Sequence, residues 1–313
     1  MTTWSSPAAA KLNLTLEVRG KREDGFHDLG SVVVSLDLAD EVRLSVGAEE
    51  RSISYRDDAG RRVSIETSDD IVLRAWSLLQ RHCRLPSEAT VEVTKRIPVT
   101  SGLGGGSTDA AAFLRLARAA WQLDLSDDDL LEIGAQVGSD VPVCLIGGPV
   151  LMEGRGERVT PIQHLEASTD SCAVLLHRAE IPVPAAKTAT MYRALRTSDF
   201  RSGDATNRLV ERLRDGATPI QDDCVNSFDV PAREVMQGLT RAWRAMGSAI
   251  ANSTLESGEQ PVVPLLAGAG PTLFALLSER DAQRAASQLR AAAGFTCVAR
   301  VLGSREATTV RPL

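Results

Sequence analysis

The sequence predicts an α+β protein of two domains. Three observations carry this reading. The length, 313 residues, is about twice that of a typical domain of roughly 150 residues. Period-two and helical hydrophobic patterns occur in both halves without a regular βαβα alternation. A polar stretch, Glu166 to Ser171, lies near the middle and sets the expected domains at residues 1–166 and 167–313. Hydrophobic residues at 43% and charged residues at 24% supply a core for each half and exclude a disordered or collagen-like chain.

Ala8 to Val18 alternates from Lys11 onward. Leu12, Leu14, Leu16 and Val18 share one face, and Lys11, Asn13, Thr15 and Glu17 the other, as in a half-buried strand. Gly20 to Gly25 is a charged turn, and Val32 to Val46 reads as strand with a break at Leu38 to Asp40. Arg51 to Asp70 is polar, with short alternations at Ile53–Tyr55 and Val63–Ile65 compatible with a hairpin. Apolar residues at 71, 72, 75, 78 and 79 make Ile71 to His82 a helix, and Ala89 to Ile97 returns to strand. Ser107 to Gln122 is an amphipathic helix with Phe113, Leu116, Ala117 and Ala120 inward and Arg115, Arg118 and Gln122 outward. Ser126, three residues before Asp129, caps the next helix, and Gly138 closes it. Val141 to Met152 reads as buried strand, turn and strand.

The second half begins with a strand, Cys172 to His177, and helices near Ala185–Leu195 and Asn207–Arg214. A longer helix from about Val230 to Ala249 and a polar linker, Asn252 to Gln260, follow. A strand at Thr272–Leu277, a helix at Ala282–Ala293 and a strand at Thr296–Val301 complete the pattern, with no repeat at a fixed period.

The net charge of −6 argues against nucleic acid as a partner, which would need a basic surface. Five cysteines, odd in number and without a C-x-x-C pair, suggest neither a disulfide framework nor a zinc site, and a reducing cytoplasm fits them. The start, MTTWSSPAAA, lacks the pattern of a secretory signal, and the longest uncharged run, Pro261 to Leu277, holds three prolines, so no membrane association is expected. His82, His164 and His177 have no metal-ligand spacing. Of thirty-five basic residues only four are lysines: Lys11, Lys21, Lys95 and Lys187.

The strongest local signal is Pro98 to Ala112, PVTSGLGGGSTDAAA. A strand leads into Gly102, Gly104, Gly105 and Gly106 and the chain then enters a helix. Glycines let backbone N–H groups approach an anion, and the helix N-terminus adds unpaired donors and its dipole, which suits a di- or triphosphate. Ser107 and Thr108 add hydroxyls able to reach phosphate or a magnesium ion. The plain alternative is a flexible turn with a serine cap. The loop is not a Walker A motif, since no Gly-Lys-Ser/Thr follows, nor a dinucleotide fingerprint, since Ser107 stands at the third glycine's place.

Asp140 follows Gly138-Ser139 at the end of a helix, where the dipole disfavours a carboxylate; the plain reading is a surface turn. Lys11 interrupts an apolar strand, on one face with Asn13; the plain reading is a solubilised edge. A Lys–Asp pair can activate an alcohol for attack on a phosphate, the aspartate accepting the proton while the lysine favours the alkoxide. Gly25-Phe26-His27 offers a ring for stacking beside an imidazole, or only a core anchor. Ala267-Gly268-Ala269-Gly270-Pro271 either lets backbone approach a ligand or forms a tight turn.

In this order the segments resemble the galactokinase, homoserine kinase, mevalonate kinase and phosphomevalonate kinase (GHMP) superfamily, whose phosphate loop reads P-x-x-x-G-L-G-G-G-S-S/T-D-A-A. Four blocks, AAAKLNLTLEVRGKREDGFHDLGSVVVSLDLADEV, KRIPVTSGLGGGSTDAAAFLRLA, VGSDVPVCLIGGPVLMEGRGERVTP and LLAGAGPTLFAL, narrow the resemblance to its 4-diphosphocytidyl-2-C-methyl-D-erythritol kinase family, over about Ala8 to Leu277. That resemblance implies ATP as co-substrate with Mg2+, and phosphorylation of the 2-hydroxyl of the cytidine diphosphate-linked methylerythritol. It implies Asp140 as catalytic base with Lys11 as its partner. Pro98, Gly102, Leu103, Gly104, Gly105, Gly106, Ser107 and Thr108 would bind ATP, with Ser107 a candidate magnesium contact. Asn13, Phe26, His27, Asp140, Gly268 and Gly270 would bind substrate. The implied fold pairs a ribosomal protein S5 domain 2-like N-terminal domain with a ferredoxin-like C-terminal domain.

Against the family pattern Phe26 replaces a tyrosine, Asp70 an asparagine near adenine, Val183 a threonine, and Asn226-Ser227-Phe228 a more usual Asn-Asp/Glu pair. The base, the lysine and the phosphate loop remain. Two other functions stay open at this point: another kinase or a mevalonate diphosphate decarboxylase-like enzyme of the superfamily, and a non-catalytic nucleotide-binding regulator.

Overall fold

A computed structural model describes residues 2–66, 70–85, 87–162 and 172–313. The expected boundary at Glu166–Ser171, and His164, lie outside these residues. In the first half the order is β1 (Thr2–Asn13), β2 (Thr15–Lys21), β3 (His27–Val46), β4 (Ser52–Asp57), α1 (Ile71–His82), β5 (Ala89–Lys95), α2 (Gly105–Ala120), α3 (Asp127–Val137), α4 (Val141–Ile146), β6 (Val150–Gly154) and β7 (Arg158–Pro161). Then come β8 (Ala173–Ala179), α5 (Lys187–Ala194), α6 (Asp204–Arg214), β9 (Val225–Asn226), α7 (Asp229–Val235), α8 (Leu239–Ser257), β10 (Leu265–Leu266), β11 (Thr272–Leu277), α9 (Glu279–Leu289), β12 (Gly294–Ala299), β13 (Val301–Leu302), α10 (Ser304–Thr308) and β14 (Arg311–Pro312).

Among the described residues these strands form two sheets. The larger, of ten strands, is organised around the long β3, which pairs antiparallel with β1, β2, β5, β6 and β13. The smaller is antiparallel in the order β10-β11-β8-β12. Chain from the second half returns to the first sheet, β9 on β2 and β14 on β1. The mixed helix and strand content is that of an α+β fold.

Helices α1 to α4 cover one side of the large sheet over a core that includes Trp76, Phe113 and Leu114. A second core joins the two sheets, Leu12, Leu14 and Val34 meeting Leu176 and Phe274. A third lies beneath α8 and α9, with Met246, Leu273 and Ala285. Helix α1 has the expected bounds because Asp70 caps it: its Oδ1 accepts the Leu73 N–H at 2.9 Å and the Tyr55 hydroxyl at 2.7 Å. The capping box at Ser126 and Asp129 also forms, and Gly138 ends α3.

Several expectations are corrected. The strand at Ala8–Val18 is two strands, and neither face is solvated. The polar face is buried because it works as a hydrogen-bonding surface: Glu17 accepts the Thr206 N–H at 2.7 Å at the start of α6, and Thr15 bonds both the Val32 N–H and the Thr206 hydroxyl. The break at Leu38–Asp40 is a bulge within the continuous β3, where the register against β1 jumps from Ala9↔Ala39 to Lys11↔Ser35. The hairpin in Arg51–Asp70 is reduced to single contacts, and β4 pairs in parallel with β5 instead. Arg115 is not on a solvated face: residues 108–117 of α2 are all buried, and the guanidinium donates to Cys144 O at 2.8 Å and Pro7 O at 3.2 Å. Val141–Ile146 is a helix, not a strand; Pro142 sits in its first turn, where a missing N–H is harmless. The long helix from Val230 is divided into α7 and α8, with Gly238 between them, and the expected linker from Asn252 forms the last turns of α8.

Candidate active site

A cleft of about 1600 Å³ runs between the halves and is lined by residues of all four sequence blocks. Its centre is built on the bulge in β3. At that irregularity β1 spends the N–H of Lys11 on the carbonyl of Leu103, at 3.0 Å, which pins the glycine loop over the strand. Gly104 then caps α2 with a left-handed φ of 73°; a β-carbon there would stand 2.7 Å from Lys11 Cγ. Close approach of loop and lysine thus requires glycine. Gly105, Gly106 and Ser107 form the first turn of α2 and face the cleft with the unpaired donors of a helix N-terminus.

Lys11 is buried, and its ammonium has two partners. It donates to Asn13 Oδ1 at 2.7 Å and lies 3.3 Å from Asp140 Oδ2. Asn13 in turn donates to Ser31 Oγ at 2.8 Å, and Ser31 donates to the Thr15 carbonyl. Both ends of the Asn13 amide are thus engaged in orienting the lysine. Asp140 does not end a helix in isolation, as the sequence suggested; it stands at the N-terminus of α4, where the dipole favours a carboxylate. Its side chain makes no capping bond, leaving the outer oxygen to the cleft.

The second glycine loop packs against the first. Thr272 N–H donates to Ser101 O at 3.2 Å, and a β-carbon on Gly102, whose φ is 94°, would strike the carbonyls of Ala267 and Gly270. Gly268 lines the cleft beside Lys11 and Asn13, whereas Gly270 packs on Leu266 and Gly102. Asn226, which opens the Asn226-Ser227-Phe228 segment that departs from the family pattern, holds this loop by donating to Leu266 O at 2.7 Å and Gly268 O at 2.8 Å. Of the remaining expected ATP contacts, Pro98 lines the cleft. Leu103 is buried and contributes its carbonyl, and the Thr108 hydroxyl is turned back to Gly105 O at 2.9 Å.

On one side of the phosphate loop the cleft is apolar, with Ile71, Ile97 and Tyr55. Beneath it Lys95 joins two buried carboxylates, Asp40 and Asp109, the latter at 2.6 Å. Burial and the neighbouring Asp40 push the Asp109 carboxyl well above the usual range, against the pull of Lys95. On the other side are aromatic rings. His27 stacks on Tyr192 with centroids 5.0 Å apart and meets Phe200 at 6.2 Å, while Phe26 is exposed beneath the Arg155 guanidinium at 4.8 Å. Burial and then Lys21 lower the His27 pKa, which keeps the ring neutral near pH 7, one nitrogen donating and one accepting. Val183 does not line the cleft.

Sequence reasoning passed over three site residues. Tyr192 and Lys187 lie on α5, and Arg155 follows β6. Only Lys187 carried a signal, the scarcity of lysine. His82 and His177 bond Leu78 O and Thr296 Oγ1, and among the described residues no group of three potential metal ligands occurs.

Comparison with known proteins gives the chain's relatives. Residues 70–148 match the family model described as "GHMP kinases N terminal domain". A Dehalococcoides mccartyi protein named 4-diphosphocytidyl-2-C-methyl-D-erythritol kinase is 38% identical over 275 residues, 88% of this chain and 89% of that one. The Bacillus subtilis protein of the same name is 32% identical, covering 96% of this chain and 97% of its own. A crystal structure of 4-(cytidine 5'-diphospho)-2C-methyl-D-erythritol kinase, 29% identical, superposes with a TM-score of 0.72 and covers 96% of this chain and 99% of that one. At these identities and coverages the chain belongs to the 4-diphosphocytidyl-2-C-methyl-D-erythritol kinase family.

Proposed function

We propose that the cleft transfers the terminal phosphoryl group of ATP to the 2-hydroxyl of 4-diphosphocytidyl-2-C-methyl-D-erythritol, with Asp140 as base and Lys11 as its partner. The observation that carries this is the fixed pair, Lys11 Nζ 3.3 Å from Asp140 Oδ2, held beneath the phosphate loop by the Lys11 N–H to Leu103. Asp140 takes the hydroxyl proton, the alcohol oxygen bonds to the terminal phosphorus, and the bond from that phosphorus to the bridging oxygen breaks to release ADP. Lys11 stays protonated and stabilises the alkoxide character of the attacking oxygen. The N–H groups of Gly105 to Ser107 cradle the phosphates, the apolar side of the cleft takes the adenosine, and Phe26, His27 and Tyr192 take the cytosine ring.

The donor set also fits a magnesium ion. The Ser107 hydroxyl is an oxygen donor facing the cleft beside the loop that would hold the phosphates, and Mg2+ commonly takes only one or two protein ligands beside phosphate oxygens. Bound there, it would neutralise phosphate charge. We also propose that residues 1–166 and 167–313 are the two domains, and that five unpaired cysteines fit a cytoplasmic setting; no described helix is long and apolar enough to cross a membrane. The test is ADP release by purified protein given ATP, Mg2+ and this substrate. Stoichiometric ADP and phosphorylated product are expected; folded protein that forms neither contradicts the reading.

A further inference from the structure

Lys187 is the one lysine at the centre of the cleft with no carboxylate partner among the described residues. Its ammonium, in the first turn of α5, donates to Thr100 O at 2.9 Å and also to Gly270 O. These carbonyls belong to the two loops that meet over the reaction centre. Lys11 is matched by Asp140 and Lys95 by two aspartates. Among the described residues Lys187 has no carboxylate in contact and is held by the two carbonyl oxygens.

A staple between two carbonyls needs no charge. A glutamine or serine would bond them without desolvating an ammonium, so the retained cation calls for an anion that arrives later. Lys187 lines the same cleft as Lys11 and Asp140. Burial, then Lys11 and Arg178, push its amine down to about 8, while Asp140 acts in the opposite direction. The backbone at both ends of the contact is also strained. Thr100 has φ 56° and Ala186, just before the lysine, φ 47°, both left-handed without being glycine. Such conformations persist where surrounding structure fixes a functional group in place.

We propose that Lys187 is a phosphate-binding residue that meets the terminal phosphoryl group of ATP as it passes from the phosphate loop to the substrate hydroxyl. This rests on the reading of Lys11 and Asp140 as the reaction centre. An ammonium has three donors, so Lys187 can keep a carbonyl and turn another N–H to a phosphoryl oxygen. Charge added at this point counters a triphosphate and a diphosphate entering a chain whose net charge is −6.

The experiment compares equilibrium binding of ADP, of a non-hydrolysable ATP analogue and of cytidine 5'-diphosphate to the native protein, Lys187→Met and Lys187→Arg, with Asp140→Asn alongside. For Lys187→Met the analogue should bind about 10-fold or more weakly while ADP, which lacks the terminal phosphate, stays within about 2-fold. Lys187→Arg should recover part of the difference, and turnover of Lys187→Met should fall on the order of 10²-fold. Equal weakening of both ligands, as a simple loop staple would give, or no change in either, overturns the proposal. So does weakening confined to cytidine 5'-diphosphate, which would assign the lysine to the other substrate. If Lys187→Met does not fold, Lys187→Gln, which keeps a donor for the carbonyls, gives the same comparison. Native-like turnover by Asp140→Asn would overturn the underlying reading instead, and is scored separately from nucleotide binding.

Discussion

Lys11 Nζ lies 3.3 Å from Asp140 Oδ2, yet the two side chains are unequally exposed, 9% against 36%. The lysine is fixed from behind by Asn13 and Ser31, while the carboxylate opens to the cleft where an alcohol can reach it. Lys11→Met should therefore lower turnover by about 10²–10³-fold, the loss of a preorganised charge at the reacting oxygen. It should also destabilise the fold by about 1–3 kcal/mol, because Asn13 Oδ1 is left buried without its donor. Steady-state kinetics and urea unfolding measure the two effects separately.

Gly104 sets the distance between loop and lysine. Gly104→Ala forces a side chain into a left-handed backbone and against Lys11 Cγ. We expect about 1–2 kcal/mol of lost stability from the conformation. Turnover should fall by at least about 10-fold, with weaker ATP binding. An alanine variant with native kinetics would show that the loop does not need this approach.

Lys95 serves structure from beneath the cleft. It is the ion-pair partner of two buried carboxyl groups, so Lys95→Met should cost about 3–5 kcal/mol in denaturant unfolding. Asp109→Asn, which removes one of the two competing charges and keeps the shape, should cost much less. The order of these two variants checks the assignment.

Asp229 gives a pH dependence with a definite sign. Burial raises its pKa to about 7 from an ordinary 3.8, against the pull of the Leu266 N–H and of Arg233 and Arg201. The folded state then holds a proton that the unfolded state has released, so this group's contribution to stability falls as pH rises from about 4 to 7. Asparagine can still accept the Leu266 N–H. Asp229→Asn should be more stable than the native protein at pH 8, with the difference shrinking toward pH 4. Thermal unfolding at both pH values checks it; equal pH slopes in the two proteins would contradict it.

Much of this was legible because local rules and tertiary structure agree. The α1 pattern at 71, 72, 75, 78 and 79, the Ser126 capping box and the glycine loop before α2 are decided within a few residues of chain, and each formed where its residues said. Val141–Ile146 misled because β-branched residues read as strand, while contact with α2 and α3 makes the segment a helix. Arg115 misleads because the amphipathic pattern puts it opposite Phe113 and Leu116, whereas it is buried there and carbonyls of two distant segments satisfy it. The Lys11–Asp140 pair was readable as chemistry but not as distance. Tyr192 carried no signal as a site residue and Lys187 only the scarcity of lysine, since a helix far along the chain brings them to His27 and to the phosphate loop.

The most direct test of the account is the turnover of Asp140→Asn with ATP, Mg2+ and 4-diphosphocytidyl-2-C-methyl-D-erythritol. Removal of the base while the shape is kept should lower kcat by about 10²–10⁴-fold with little change in the KM for ATP. A kcat within about 2-fold of the native protein, well inside the range that loss of a base excludes, would remove Asp140 from the proton transfer and with it the central claim.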